Sequence, residues 1–299
     1  MARVLVTGAS GFIGQHAMKL LHLAGYDVHA VYANTPVVSS GAVSAHQANL
    51  LEPGAVETLM TAVRPDQLLH LAWCAKPGVY WTSPENLLWV QATLRLLEAF
   101  QAQGGQHAVL VGSCAEYDWQ YGFCREAHTP LVPATVYGRC KNSTRELAEV
   151  FSQVHGLPIA WARIFHAYGP FEASGRLVPA VINALLKGQP ALCSHGEQQR
   201  DLLHAADIAS ALALMLHHQA KGTFNIGSGQ PVRLREVVEY LAARLDSMHL
   251  LRMGAIAVSP DEPPLLLADN QRLVDLGWKA QFDLHSGLDD ALAWWRGRT

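Results

Sequence analysis

Two stretches carry residues whose types and spacing could do chemistry. Tyr137-Gly138-Arg139-Cys140-Lys141 sets a phenol and an ammonium four residues apart. On a helix these share one face. A free tyrosine titrates near about 10, too high for efficient work at neutral pH. A positive charge beside it favours the phenolate and lowers that value, which suits general acid–base catalysis at an oxygen. Upstream, the apolar run Val109-Leu110-Val111-Gly112 ends in Ser113 and Cys114. A hydroxyl at the carboxyl end of a parallel strand could hold and polarise a carbonyl oxygen.

A third stretch would supply the partner for that chemistry. Val4-Leu5-Val6-Thr7-Gly8-Ala9-Ser10-Gly11-Phe12-Ile13-Gly14 reads as a strand, a glycine turn and a helix start. Free backbone N–H groups at a helix N-terminus attract a diphosphate. Gly8 permits the turn, Gly11 a close approach of backbone to the pyrophosphate, and Gly14 tight packing of helix on strand. Gly8, Gly11, Phe12, Ile13 and Gly14 are thus the expected dinucleotide cradle. The spacing is GxxGxxG rather than GxGxxG. About 20 residues on, an acid would favour NAD and an arginine NADP. The chain has Tyr32-Ala33-Asn34 there. Asn34 can bond a hydroxyl or a phosphate, and the missing acid favours NADP(H) slightly over NAD(H).

Elements that would position these groups alternate along the first half. Strands are expected at Arg3–Thr7, Val28–Tyr32, Gln67–Ala72, Ala108–Val111 and Ile159–Ile164. Helices are expected at Ile13–Ala24, from Ser83-Pro84-Glu85 to about Gln103, and at Ala134–Phe151. Short apolar strands between helices imply a parallel sheet covered on both faces. After residue 165 the expected elements are helices at Val178–Lys187, Ala205–His217, Val232–Leu245 and Leu288–Trp295, a strand at Thr223–Ile226 and a loop at Ser259–Pro264. Residues 1–164 read as the nucleotide-binding sheet and 165–299 as a smaller lobe, with 200–227 rejoining the sheet.

Composition narrows the function classes. The 299 residues are 50% apolar and only 16% charged, so a large core is available and the surface is short of charge. With 22 Lys and Arg against 25 Asp and Glu, there is no positive field for nucleic acid. Five cysteines with no CxxC pair suggest neither a disulfide framework nor a zinc knuckle, and point to reducing cytoplasm. No metal constellation accompanies His217-His218. No apolar run reaches the roughly 18 residues of a membrane span, and no signal peptide is expected.

The chain resembles the extended short-chain dehydrogenase/reductase family, the nucleotide-sugar epimerase, dehydratase and ketoreductase group. The resemblance rests on TGASGFIG at 7–14, HLAW at 70–73, VGSCAEY at 111–117, YGRCK at 137–141, RIFHAYGP at 163–170, RLVP at 176–179, RDLLHAADIA at 200–209 and LGW at 276–278. It implies an α/β fold, a Rossmann-type doubly wound parallel sheet with a smaller C-terminal α/β substrate lobe. Ser113, Tyr137 and Lys141 would be catalytic, with Tyr137 and Lys141 also on the cofactor. Asn49 and Leu50 would lie near adenine, and Ala72 and Trp73 along the cofactor. Arg200 would grip the diphosphate of a nucleotide-diphosphate sugar; otherwise it forms a surface salt bridge. Tyr80, Ser113, His166, Arg176 and Val178 would complete the substrate site, though Tyr80-Trp81 could equally be core or lid packing. The apolar helices Leu87–Phe100 and Leu147–Phe151 would form a homodimer seam, though core packing alone explains them too.

Departures from the family pattern are informative. His166 stands where the family often has Asn, and Trp89 replaces a helix Asn. Aligned on Tyr117 the catalytic hydroxyl is Ser113; aligned on Ala115-Glu116 that place falls to Cys114. In the first register Cys114 and Ala115 replace the acids of the dehydratases, Cys114 is a small core residue, and Glu116 is solvated or a cap. The expected activity is reduction of the C4 keto group of a nucleotide-linked 4-keto-6-deoxy sugar. A 4-epimerase with retained NAD is the alternative, and a non-catalytic dinucleotide sensor a remote one.

Overall fold

A computed structural model describes residues 1–37, 43–259 and 262–298. Part of the expected loop Ser259–Pro264, residues 260–261, lies outside them. Five strands, β1 (Arg3–Thr7), β2 (Asp27–Tyr32), β3 (Val43–Gln47), β4 (Gln67–His70) and β5 (His107–Ser113), join Ile159–Ile164 and Gly222–Ile226 in one sheet. From one edge the order is 222–226, 159–164, β5, β4, β1, β2, β3, and every pairing is parallel. The chain reverses direction across the sheet between β1 and β4. In open α/β sheets the ligand crevice lies at that switch, outside the carboxyl ends of the strands.

Both faces are covered, because strand side chains alternate. In β1, Val4 and Val6 pack with α1 (Phe12–Leu23) and α6 (Ala205–His217) through Leu21, Ile208 and Leu212. Leu5 points the other way, into a core with α2 (Ala55–Val63), α3 (Glu85–Ala102) and α4 (Val136–His155) that includes Met60, Leu96 and Phe100. A second, mixed sheet has the order Pro231–Arg233, Gln199–His204, Leu265–Ala268, Phe123–Cys124, and His166–Tyr168 also pairs with Gln199–His204. Helices α5 (Leu177–Leu186), Leu234–Arg244 and Leu284–Arg296 share a third core of Ile182, Leu241 and Leu288.

Local chemistry sets the element ends. The Ser83 hydroxyl accepts the Glu85 N–H at 3.2 Å, and Pro84 already has helical dihedrals, as the Ser-Pro-Glu signal predicts. The helix expected at Ala134 begins at Val136, because Thr135 accepts the Gly138 N–H at 3.0 Å. The last helix starts a turn earlier than expected, at Leu284, since Asp283 caps it through the Ser286 N–H at 2.8 Å.

Candidate active site

The glycine turn joins β1 to α1 at the switch point. Gly8 has φ +68°, left-handed backbone, and a Cβ there would lie 2.8 Å from the Ala72 nitrogen. A Cβ on Gly14 would lie 2.3 Å from the Gly8 carbonyl oxygen, so α1 packs directly on the turn. Helix α1 starts after Gly11, with Phe12 and Ile13 as its first residues, no side-chain cap and no acid in its first turn. Its N–H groups are thus left for an anion. Below the turn, the Thr7 hydroxyl accepts the Ala72 N–H at 3.2 Å and lies 2.7 Å from His70 Nδ1, while His70 Nε2 lies 3.0 Å from the Thr93 hydroxyl.

A cavity of about 280 Å³ opens over this turn. Gly8, Gly11, Ala72 and Trp73 line its inner end, and Asn34, Asn49 and Leu50 its outer end. Sequence reasoning placed all seven there. Trp89 also lines it, its indole stacked on Trp73 at 6.1 Å between centroids. No Lys or Arg lines this cavity among the described residues.

Next to Trp73 of this cavity the structure brings Tyr137 and Lys141, and Ser113 lies beside Tyr137. Ser113 is the last residue of β5, and Tyr137 lies in the first turn of α4. Gly138 makes the approach possible: a Cβ there would lie 2.2 Å from the Ala115 carbonyl oxygen. Burial raises the Tyr137 phenol, and the neighbouring Ser113 hydroxyl opposes that shift. This geometry fits the register with Ser113 as the working hydroxyl. Cys114 is buried in a small core, its thiol pushed up to about 12 by burial.

The Lys141 ammonium shares a helix face with Tyr137, as the spacing suggested, but rests closer to Trp73. Its Nζ donates to the Val111 carbonyl at 2.7 Å and sits 3.8 Å from the centre of the Trp73 ring, but 6.0 Å from that of Tyr137. Burial lowers its ammonium to about 7, with the Glu116 charge opposing. Around Tyr137 stand the edges of three aromatic rings, Tyr80 at 4.9 Å, Trp81 at 5.7 Å and Trp73 at 6.5 Å.

Beneath Ser113 lies a polar network that the sequence hid. Glu116, expected as a solvated or capping acid, does cap: its carboxylate accepts the Ser113 N–H at 2.8 Å. It is not solvated, being 0% exposed. It pairs with Arg163, 1% exposed, at 2.6 Å and accepts the Trp161 indole N–H at 3.0 Å. Arg163 also donates to the Tyr117 hydroxyl at 2.9 Å, which donates to Asn225 at 2.7 Å.

The expected substrate residues divide. Tyr80, His166 and Arg176 group together: the Arg176 guanidinium lies 5.9 Å from the centre of the Tyr80 ring and adds its field to both Tyr80 and His166. Arg200 also acts on His166, but its own side chain is buried, bonded to Glu262 and to the Gln199 carbonyl. Val178 packs in the third core with Ile182 and Leu185. Sequence reasoning missed Glu172, whose buried Oε2 has no hydrogen-bond partner and whose carboxyl burial raises to about 8. It also missed Asn86, buried in the first turn of α3. No group of His, Cys, Asp or Glu among the described residues could hold a metal ion. All five cysteines are free, and no described helix is long and apolar enough to cross a membrane.

Buried imidazoles make stability fall in acid. Burial lowers His70 and His166 from 6.5 to about 3 and His204 to about 4. The unfolded chain therefore takes up protons first as pH falls. Their contribution is complete above 6.5 and lost as pH drops toward 3–4. Glu172 acts oppositely: its folded value lies above 4.5, so its contribution is complete below 4.5 and lost as pH rises through about 8. Tm measured by calorimetry is expected to decline from pH 6.5 to 4, and His166→Gln to flatten that decline. A constant Tm over this range would show that the imidazoles stay accessible to protons when folded.

Residues 4–227 match the model of the NAD dependent epimerase/dehydratase family. The chain belongs to that family and is an enzyme of it. It is 25% identical over 306 residues to CDP-abequose synthase of Salmonella typhimurium, covering 97% of each chain. To GDP-6-deoxy-D-mannose reductase of Pseudomonas aeruginosa it is 27% identical over 312 residues, covering 99% of this chain and 98% of that one. Among solved structures, MoeE5 in complex with UDP-glucuronic acid and NAD aligns over 100% of both chains with TM-score 0.87 and 29% identity.

Proposed function

We propose that the chain is a reductase of the C4 keto group of a nucleotide-linked 4-keto-6-deoxy sugar, dependent on a nicotinamide dinucleotide. The observation that carries this reading is that Tyr137 and Lys141 flank Trp73, which lines the glycine-floored cavity, with Ser113 beside Tyr137. A dinucleotide fits there: α1 opens uncapped, and the turn has no room for a Cβ at Gly8. The glycine turn would hold the diphosphate, Asn34 and Asn49 the adenosine end, and Trp73 with Lys141 the nicotinamide end. Bound there, the dinucleotide supplies the hydride. Ser113 donates a hydrogen bond to the keto oxygen, and Tyr137 gives it a proton. Lys141, an ammonium already held against Trp73, stabilises negative charge as that proton leaves. Tyr80, His166 and Arg176 would line the sugar side, with Arg200 toward the diphosphate.

Reduction is favoured over dehydration because Cys114 and Ala115 stand where acids would be needed. The similarity to a protein named as a GDP-6-deoxy-D-mannose reductase, at near-full coverage, agrees with this. Likeness to 4-epimerases keeps 4-epimerisation as the second reading. The missing acid after β2 favours NADP(H) slightly. With no Lys or Arg lining the cavity among the described residues, a 2′-phosphate gains no charge-assisted bond from them, so the two dinucleotides are expected to differ less than about tenfold in Kd. The exposed apolar residues Leu87 and Leu88 on α3, and Leu147, Val150 and Val154 on α4, make a face suited to a homodimer.

Thermal shift with UDP-, GDP-, CDP- and dTDP-sugars, each with NAD(H) or NADP(H), is expected to single out one base. Light scattering on the same samples should read about twice 32.6 kDa. With a 4-keto sugar of that base, net oxidation of the reduced dinucleotide is expected. Isomer conversion without net redox, on tightly held NAD, would replace this reading with the epimerase.

A further inference from the structure

We propose that Asn86 is a positioning residue whose single buried carboxamide holds both walls of the site, the Trp73 indole and the Tyr80 loop, in one register around Lys141 and Tyr137. This rests on reading the Tyr137 site as dinucleotide-dependent.

Asn86 is 0% exposed, yet every strong bonding direction of its amide but one is used. Its Oδ1 accepts the Trp73 indole N–H at 2.7 Å. Its Nδ2 donates to the Tyr80 carbonyl at 2.8 Å and to the Ser83 carbonyl at 2.8 Å. These three partners span the whole connection between β4 and α3. The amide therefore acts as a clasp on that connection. Helix α3 does not need it as a cap, since Ser83 already accepts the Glu85 N–H.

Each arm of the clasp ends on a group assigned to the chemistry. Trp73 lines the cavity and presents its face to the Lys141 ammonium at 3.8 Å. A cation over an indole face is held by the ring's electrostatics, and that hold depends on ring orientation. The indole N–H bond to Asn86 and the stack on Trp89 fix that orientation. The other arm fixes the backbone of Tyr80, whose buried ring meets Tyr137 in a T-shaped contact at 4.9 Å and lies 5.9 Å from the Arg176 guanidinium. One amide thus couples the cofactor side of Tyr137 to its sugar side.

A double-mutant cycle on the full chain tests this. The single substitutions are Asn86→Ala and Trp73→Phe, the latter keeping a ring but removing the N–H. Calorimetric Kd for NAD(H) or NADP(H) reads one arm, KM for the keto sugar reads the other, and Tm controls for folding. Asn86→Ala is expected to raise dinucleotide Kd about five- to tenfold when Trp73 is present, and less than about twofold in the Trp73→Phe background. The KM rise should be alike in both backgrounds. Asn86→Asp keeps the shape and the oxygen facing Trp73, so Kd should stay within about twofold of wild type while KM rises. It also serves if Asn86→Ala does not fold. An equal Kd change in both backgrounds, tracking the fall in Tm, would make Asn86 merely structural and overturn the proposal. An unchanged Kd and KM would overturn it too. If wild-type protein binds neither dinucleotide, the parent reading fails and takes this one with it.

Discussion

Tyr137→Phe is expected to lower kcat about 10²- to 10⁴-fold, with KM changed little and the fold intact. The ring would stay in its cage, because its T-shaped contacts with Tyr80, Trp81 and Trp73 are ring contacts that phenylalanine keeps. What goes, on the proposed reading, is the group that passes a proton to the keto oxygen. Burial keeps the Tyr137 phenol protonated at neutral pH, which is the form a reduction consumes. Ser113→Ala removes one donor to the same oxygen and should cost about 10²- to 10³-fold. Steady-state kinetics with a keto sugar checks both. A Tyr137→Phe enzyme with wild-type kcat would move the proton donor elsewhere.

Arg163→Met should be the most destabilising single change in the sheet core, by about 3–5 kcal/mol. It strands the Glu116 carboxylate, fully buried and 2.6 Å from the guanidinium it pairs with. It also removes the donor to the Tyr117 hydroxyl. Removing both charges together, Glu116→Gln with Arg163→Met, should recover most of the loss, because an amide still bonds the Ser113 N–H without needing a counter-charge. Urea denaturation of the two variants decides it. If the double variant is no more stable than Arg163→Met alone, the cost lies in packing around Tyr117 and not in the stranded charge.

What could be read from the chain follows the range of the interactions. The glycine turn, the Ser83-Pro84-Glu85 helix start and the Tyr137–Lys141 face depend on neighbours a few residues apart, and they stand as expected. The parallel sheet was legible because its central strands are continuous apolar runs. Strand β3 and helix α2 were not anticipated: Val43–Gln47 is short and partly polar at the sheet's edge, and Gly54 opens α2 without a side-chain cap. Gln199–His204 does not look like a strand either, since Arg200, Asp201 and His204 are buried polar residues. Asp201 is tolerable there only because Ser228, Gly229 and Ala268 donate to it. The same limit hid Glu116, whose partner is 47 residues away. It also hid Asn86, which in sequence is only a polar residue on a helix. Lys141 was placed on the right face, but its ammonium turned to Trp73, a residue 68 positions earlier whose orientation Asn86 decides.

The strand Gly222–Ile226 completes the main sheet by adding beside Ile159–Ile164, after the chain has visited the second sheet through His166–Tyr168 and Gln199–His204. A chain growing from its amino end therefore carries an uncovered, largely apolar strand edge from residue 164 until residue 226 emerges. At about 5–20 residues per second of synthesis, that interval lasts seconds, far longer than collapse takes. Exposed edges of this kind pair with other chains. Nascent protein is thus most exposed to aggregation during that window, and fragments ending between these two strands should be insoluble although their glycine turn and Tyr137 site are already encoded.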